Sequence, residues 1–416
     1  MTTSIIPDSI KMFFRDVRIL YLRYRYQRTL KYLRKCYGKR KMKIAFFVSE
    51  LAKWKGQALY DLMARSTTFE PQIIVYPMQV EKRYSHAEQE TAIAAKVDFF
   101  RNKGLSVKSL WNVAEQRFMI EKMSDIDICF YQQPWDIPPA PCPRQIANRT
   151  LSFYFPYYVS SYDDQYHLNL LLPHEVFRLL VLNDNQKKIY ADKWFMWKYC
   201  GEMITLGHPF VDLLTKTTVS DFSNQSVIYA PHFSFPIENH KRLFPASTFL
   251  DNGRLLLEFA KNHPEINWVF KPHPNLRREL VDTNTWTKEE VDTYYEEWES
   301  IGKACYTSDY IDLFMDSRVM ITDCGSFLTE YSCTGHPLIH LIPGKLPVKP
   351  NPVVEDLFNY FYQAPNNTVL FQLLDRIVLK GEDPLKVERI DCLKKIGLLD
   401  SNASENIINY IDKLLQ

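Results

Sequence analysis

The chain has 416 residues, 46% of them hydrophobic and 24% charged, with a formal net charge of +2. That length predicts two or three domains, each with its own core, and the composition excludes a disordered or collagen-like chain. The small net charge hides an asymmetry: thirteen Lys and Arg lie between Lys11 and Lys43 against one acid, Asp16, so the remainder is acidic by ten charges. Residues Ile10 to Tyr37 read as a basic amphipathic helix. Phe13, Phe14, Val17, Leu20, Tyr21, Tyr24, Leu30 and Leu33 recur at three- and four-residue steps. Such a helix fits an anionic membrane surface; the alternative is a helix packed on the protein with its cations solvated. Nothing else in the chain supports a nucleic-acid partner. No run of about 18 apolar residues predicts a transmembrane helix.

From Lys43 the pattern changes to alternating strands and helices. "KIAFFVSE" is a strand and "GQALYDLMARS" its helix; "PQIIVYP" is the next strand, Ala87 to Lys103 a helix, and "LSVKSL" a further strand. "DIDICFYQQPWD" contains a strand running into a loop at Gln132 to Asp136. "LSFYFPYY", "RLLVLN" and "MITLG" follow as strand candidates. A polar link, Lys216 to Gln225, precedes a second α/β half with strands in "SVIYAPHFSF" and "INWVFKPHPN". Between and after these strands lie a helix in "GRLLLEFAKNHP" and an acidic helix that Thr287 caps. Ser308 to Leu341 then reads as helix, strand, small-residue turn, helix and strand, a βαβ unit. Ser401 to Gln416 is a short amphipathic helix returning to the first half. The spacing therefore predicts an α/β chain of two doubly wound, Rossmann-like domains. The expected divisions are a basic amphipathic helix at 1–41, a first half at 42–215, a second at 222–385 and a helical tail at 386–416.

Three strand ends in the second half carry polar residues. In "FKPHPN", Lys271 and His273 project from a strand end between stiffening prolines, placed to hold a diphosphate and neutralise a leaving nucleotide. In "YAPHFSF", His232 and Ser234 occupy the loop. In "TDCGSFLTE", Asp323 orients the turn through backbone amides, while Gly325, Ser326 and the amides of a helix start favour phosphate. Asp125 to Asp127 form a D-x-D at the wrong end of a strand for a ligand. The eight cysteines make no C-x-x-C pair and no zinc spacing, so no metal and no cofactor is expected. They suit a reducing cytosol, and no apolar signal region is present.

The segment "TDCGSFLTEY" resembles the "TDYSS" motif, with its following acid, of the CDP-glycerol glycerophosphotransferase family, the teichoic-acid and capsule polymerases. Here Gly325-Ser326 stands for the serine pair. The "HP" of "FKPHPN" is similar to that family's donor-phosphate histidine motif, and "YAPHFSF" to its "APTWR" loop without the arginine. The resemblance implies a GT-B-like arrangement of the two domains facing across a cleft. It implies an acceptor-binding first half and a nucleotide-donor second half. A CDP-alditol, or in the alternative a nucleotide-sugar, would be bound by Lys271, Asp323, Gly325, Ser326 and Glu330, with Glu330 on ribose hydroxyls, and with His273 and His232 at the chemistry. The acceptor is a polymer or lipid-linked hydroxyl at the inner face of the cell membrane. "TLGHPFVD" resembles the family's "TGNPRND" loop, so His208 and Asp212 match by position. The family's "WHG" histidine has no counterpart in "LSFYFPYYVSS". The general base is then sought in Asp136, ahead of Glu50 and His167, with Trp54 shaping the acceptor side. An altered serine pair and an absent "WHG" histidine also fit an inactive scaffold of a polysaccharide-assembly complex.

Overall fold

The computed structural model of the chain describes residues 8–135, 140–163, 170–193, 202–215, 225–236, 247–306, 310–342 and 349–416, with side chains from residue 17 onward except at 193, 202 and 215. Asp136, His167 and most of the predicted link after Lys216 lie outside the described residues. Two compact units emerge. The first comprises Met1–Tyr158, Gln165–Asp212 and Ser401–Gln416; the second comprises Val159–Asp164 and Leu213–Asp400.

The first unit is built on strands β1 (Met42–Val48), β2 (Phe69–Val75), β3 (Val107–Ser109), β6 (Ile128–Tyr131), β7 (Leu151–Tyr154), β8 (Arg178–Val181) and β9 (Glu202–Thr205). A small hairpin of β4 (Trp111–Asn112) and β5 (Arg117–Phe118) stands beside them. The large sheet runs β3-β2-β1-β6-β7-β8-β9 and is parallel throughout. Strands such as "IAFFV" and "ICFY" are apolar at every position rather than at alternate ones. That is the composition a strand needs when helices cover both faces of its sheet. The strand order reverses between β1 and β6, and both strands end in polar side chains there. Ser49 donates to the side-chain oxygen of Gln133 (2.9 Å), and the side-chain Oε1 of Gln132 accepts the Lys55 amide (2.7 Å).

The N-terminal helix Asp8–Cys36 forms as expected but packs by a different face. Leu30 and Leu33 of the predicted apolar face are buried together with Ile19, Leu22, Tyr26 and Thr29, whereas Val17, Leu20, Tyr21 and Tyr24, predicted to share that face, are exposed. The reason is polar satisfaction. Tyr26 donates to the Glu175 carbonyl (2.9 Å) and shares a hydrogen bond with Ser152 (2.5 Å), and Thr29 donates to the Ala147 carbonyl (2.7 Å). With those hydroxyls paired, burying them costs little. Arg23 clamps the same face through the carbonyls of Val176 and Phe177.

The helix Ala403–Leu415 buries Ile407, Ile411 and Leu415 in the first unit. Its N-cap residue, Asn402, makes no side-chain cap. Asp212 supplies it instead, accepting the amides of Ala403 (3.0 Å) and Ser404 (2.7 Å).

The second unit holds β10 (Ser226–Ala230), β11 (Trp268–Phe270), β12 (Lys303–Ala304), β13 (Ser317–Thr322), β14 (Leu338–Leu341) and β15 (Tyr362–Ala364). These run parallel in the order β12-β11-β10-β13-β14-β15. That order is the one of a dinucleotide-binding Rossmann sheet, with its switch point between β10 and β13. One face is covered by the helix Lys288–Ile301, which begins in a capping box of Thr287 and Glu290. Its Trp298 lies against Tyr229 and stacks on Phe270, the latter rings 5.0 Å apart and nearly parallel, and its Tyr294 meets Phe270 edge-on. The helix Lys386–Ile396, placed in a C-terminal tail by its position, belongs to this unit. Its buried Arg389 pairs with Asp383 through two nitrogens (2.9 and 2.5 Å).

Candidate functional site

The switch point of the second unit gathers the residues singled out at its strand ends. Asp323 is the first residue beyond β13, and its carboxylate is an acceptor for four donors. Oδ1 takes the His232 amide (2.6 Å); Oδ2 takes the Thr248 amide (2.6 Å), the Thr248 hydroxyl (3.0 Å) and the Ser247 hydroxyl (3.1 Å). Burial pushes its pKa up to about 6, with these bonds pulling the other way. Asp323 therefore fixes the loop after β10 and the start of the helix Phe249–Asn262 together. It is a positioning residue and is fully enclosed.

The loop that Asp323 holds presents His232. Its Nδ1 accepts the Ser234 amide (3.2 Å) and faces the Ser234 hydroxyl (2.8 Å). His273, two residues past Lys271 on the loop after β11, likewise accepts the Asn275 amide at Nδ1 (3.1 Å). A ring nitrogen that accepts a main-chain N–H carries no proton, so in each neutral imidazole the proton sits on Nε2. The two rings lie 4.9 Å apart, both against Phe233. The site thus holds two oriented N–H donors side by side.

Lys271 is buried at 4% exposure. Its ammonium lies 5.1 Å from the Tyr310 ring and 5.9 Å from the Phe327 ring. Burial lowers its pKa, while Cys305, Cys324 and Glu330 oppose the shift. A cation so placed is poorly hydrated and gains more from an arriving anion than a surface lysine does.

Next to it the helix Gly325–Ser332 starts. The amides of Gly325 and Ser326 head this helix and by position have no intrahelical acceptor. Ser326 lies 3.4 Å from the Cys324 sulfur. Gly325 has a structural reason to be glycine: a Cβ there would come within 2.9 Å of the Tyr162 ring. Tyr162 arrives on the short segment Val159–Asp164, which joins the second unit. Its neighbour Ser161 donates to the Gly325 carbonyl (2.6 Å) and also meets the Thr329 hydroxyl. Glu330 is 3% exposed and accepts the Tyr310 hydroxyl (2.5 Å). The carboxylate is thus enclosed and has one oxygen, Oε2, already engaged by a phenol. Tyr310, Thr248 and Tyr162 carry no motif, and sequence reading passed over them; Phe327 lies inside "TDCGSFLTE" but is given no role there.

The candidates of the first unit stand differently. Glu50 follows β1, its side chain 35% exposed and 3.9 Å from Lys53. Trp54 is a core residue, edge-on to Phe46 (5.5 Å) and Phe100 (5.6 Å), with its indole N–H on Gln57 (3.0 Å). His208 is buried; its Nε2 meets the Pro156 carbonyl (2.5 Å) and its Nδ1 accepts the Phe210 amide (3.2 Å). Burial lowers its pKa to about 4. His208 and Asp212 thus brace the loop after β9. Asp127, in the D-x-D, takes a two-nitrogen bond from Arg40 (2.6 and 2.8 Å) and the Lys43 amide (2.8 Å). Among the described residues no group of three or more His, Cys, Asp or Glu is arranged to hold a metal ion.

No family model and no curated protein matches the chain in sequence. Solved structures do match over nearly its whole length. The wall teichoic acid polymerase TagF, in a histidine variant, aligns with a TM-score of 0.56 at 10% identity, covering 98% of this chain and 97% of its own. The UDP complex of MnaA from S. aureus aligns at 0.55 and 12% identity, covering 90% and 97%. The UDP-GlcNAc 2-epimerase of Methanocaldococcus jannaschii aligns at 0.52 and 12%, covering 90% and 99%. The fold is GT-B. At these identities the likeness carries the fold and leaves the chemistry to the residues. In GT-B terms the cluster at β10, β11 and β13 belongs to the second Rossmann-like domain, at its switch point.

Proposed function

We propose that the chain is a GT-B transferase that moves a phosphoalditol, such as glycerol phosphate, from a CDP-alditol to a hydroxyl of a bacterial cell-surface polymer. The observation that carries this reading is the convergence of Lys271, His232 and His273 with the head of the helix Gly325–Ser332. Two imidazoles with the proton on Nε2, a buried ammonium and the amides at a helix start gather hydrogen-bond donors at one place, which is what a diphosphate requires. The acceptor oxygen attacks the phosphorus that bears the alditol, the bridging P–O bond breaks, and CMP leaves with the bonding pair. Lys271, Ser326 and the helix amides neutralise the charge growing on that leaving group, and His273 and His232 donate to the phosphoryl oxygens. The acceptor proton passes to a base, for which Asp136 ranks ahead of Glu50 and His167. Asp323 and Gly325 act through the loops they shape. The acceptor, polymeric or lipid-linked, places the reaction at the inner face of the cell membrane. The match to TagF supports the reading at the level of fold.

A glycosyltransferase using a nucleotide-sugar is the second reading, and the match to the UDP complex of MnaA favours it. The same donors would hold its diphosphate. Linkage analysis of the product separates the two: phosphodiester bonds support phosphoalditol transfer, and glycosidic bonds overturn it in favour of sugar transfer. The inactive-scaffold reading rests on Gly325-Ser326 in place of the serine pair and on the absent "WHG" histidine. Absence of CMP, UDP or GDP binding at millimolar concentration would establish that reading and overturn both others.

A further inference from the structure

The N-terminal helix is apolar on two opposite faces. At 100° per residue, the buried positions Ile19, Leu22, Tyr26, Thr29, Leu30 and Leu33 cluster on one side. Val17, Leu20, Tyr21, Tyr24, Arg28, Lys31, Tyr32 and Lys35 fall on the other, and all eight are exposed. Leu20, Tyr21, Tyr24 and Tyr32 are 58 to 61% exposed. Among the described residues, five of the fourteen exposed large hydrophobic side chains lie on this one face. That concentration is not the scatter of single apolar residues normal for a surface. The packed face already has its partner, so the outer one is not a core waiting to be covered by its own domain.

Composition along the face sets the partner. Its N-terminal part is Val17, Leu20, Tyr21 and Tyr24; its C-terminal part adds Arg28, Lys31 and Lys35 around Tyr32, with no acid among them. Arg25 and Arg28 lie 5.9 Å from the Tyr21 and Tyr24 rings, so the cations flank the rings rather than bury them. Rings with an apolar body and a polar tip sit at the boundary between headgroups and acyl chains, and long basic side chains reach anionic headgroups beside them. A second copy of the chain fits poorly, because apposed faces would bring like cations together.

We infer that this outward face, Val17 to Lys35, is a docking surface for an anionic lipid bilayer, lying in the plane of the interface while the opposite face holds the domain. The inference rests on the membrane location given above and specifies the surface responsible.

The test is co-sedimentation of the full chain with vesicles of phosphatidylcholine alone and with about a third phosphatidylglycerol. Wild type binds the anionic vesicles and not the neutral ones. The triple variant Leu20→Ser, Tyr21→Ser, Tyr24→Ser keeps its melting temperature, since none of the three is packed, and loses affinity at least about tenfold. The variant Arg28→Gln, Lys31→Gln, Lys35→Gln loses about a hundredfold, each cation contributing about fivefold. If wild type binds and both variants bind equally well, the membrane location stands and this face is not its cause. If wild type binds no vesicle, or binds RNA instead, both the location and the inference are overturned. The assay uses no nucleotide, so its result is independent of the transferase reading.

Discussion

At the residue scale the site depends on one enclosed carboxylate. Asp323 accepts four donors from two loops and so ties the His232 loop to the start of the helix Phe249–Asn262. Asp323→Ala leaves those donors without an acceptor and is expected to lower stability by about 3–5 kcal/mol in chemical denaturation. Asp323→Asn keeps the volume but turns an N–H₂ toward an N–H or hydroxyl donor, so it is expected to fold with weakened nucleotide binding. His273→Asn tests a different quantity. It removes the Nε2–H donor and is expected to cut turnover by 10²–10³-fold with little change in melting temperature. An equal loss of turnover and of melting temperature would instead make His273 a structural loop residue.

At the element scale, the ends of helices decide most outcomes. Asp212 caps a helix that begins almost two hundred residues later, and Asp212→Ala is expected to lower stability by about 1–2 kcal/mol, read as a shift in denaturation midpoint. Tyr26→Phe removes a hydroxyl that serves Ser152 and the Glu175 carbonyl, at a cost of about 1–2 kcal/mol. The strands of both sheets were legible in the sequence because fully buried parallel strands are apolar runs bounded by turns. Thr287 was legible as a cap because the capping box is local. The burial of the N-terminal helix was not: its two faces are about equally apolar. Only the distant partners Ser152, Ala147 and Glu175 show which face can bury a tyrosine and a threonine. The site was legible where a motif marks a strand end, as at Lys271, His273, Asp323 and Ser326. Tyr310 and Tyr162 escaped because their roles come from long-range contacts, with Glu330 and over Gly325. Trp54 stands out by its place at a strand end and His208 by the likeness of its loop to a motif, and both are packed in their surroundings.

At the scale of the whole molecule, buried neutral histidines govern the response to acid. His208, His336 and His340 are enclosed, and burial holds the pKa of each at about 4, below the ordinary 6.5. A folded-state pKa below the unfolded value means that the unfolded chain binds the proton more tightly. Stability is therefore fully present above pH 6.5 and is lost as pH falls toward 4. The gap corresponds to about 3 kcal/mol per histidine. Asp323 has the opposite sign. Its raised pKa makes the native state the tighter proton binder between pH 3.8 and about 6, which offsets part of the loss. Unfolding free energies measured at pH 8 and pH 5 are expected to differ by several kcal/mol, with a smaller difference in His340→Gln.

The central claim is that the second Rossmann-like domain holds the diphosphate of a CDP-alditol for transfer. The most direct measurement is CMP release from CDP-glycerol in the presence of a short polymer acceptor, by wild type and by His273→Ala. Wild type is expected to release CMP only when the acceptor is present, and the folded variant is expected to release none. Release of UDP or GDP from the corresponding nucleotide-sugars, with CDP-glycerol left intact, would contradict it.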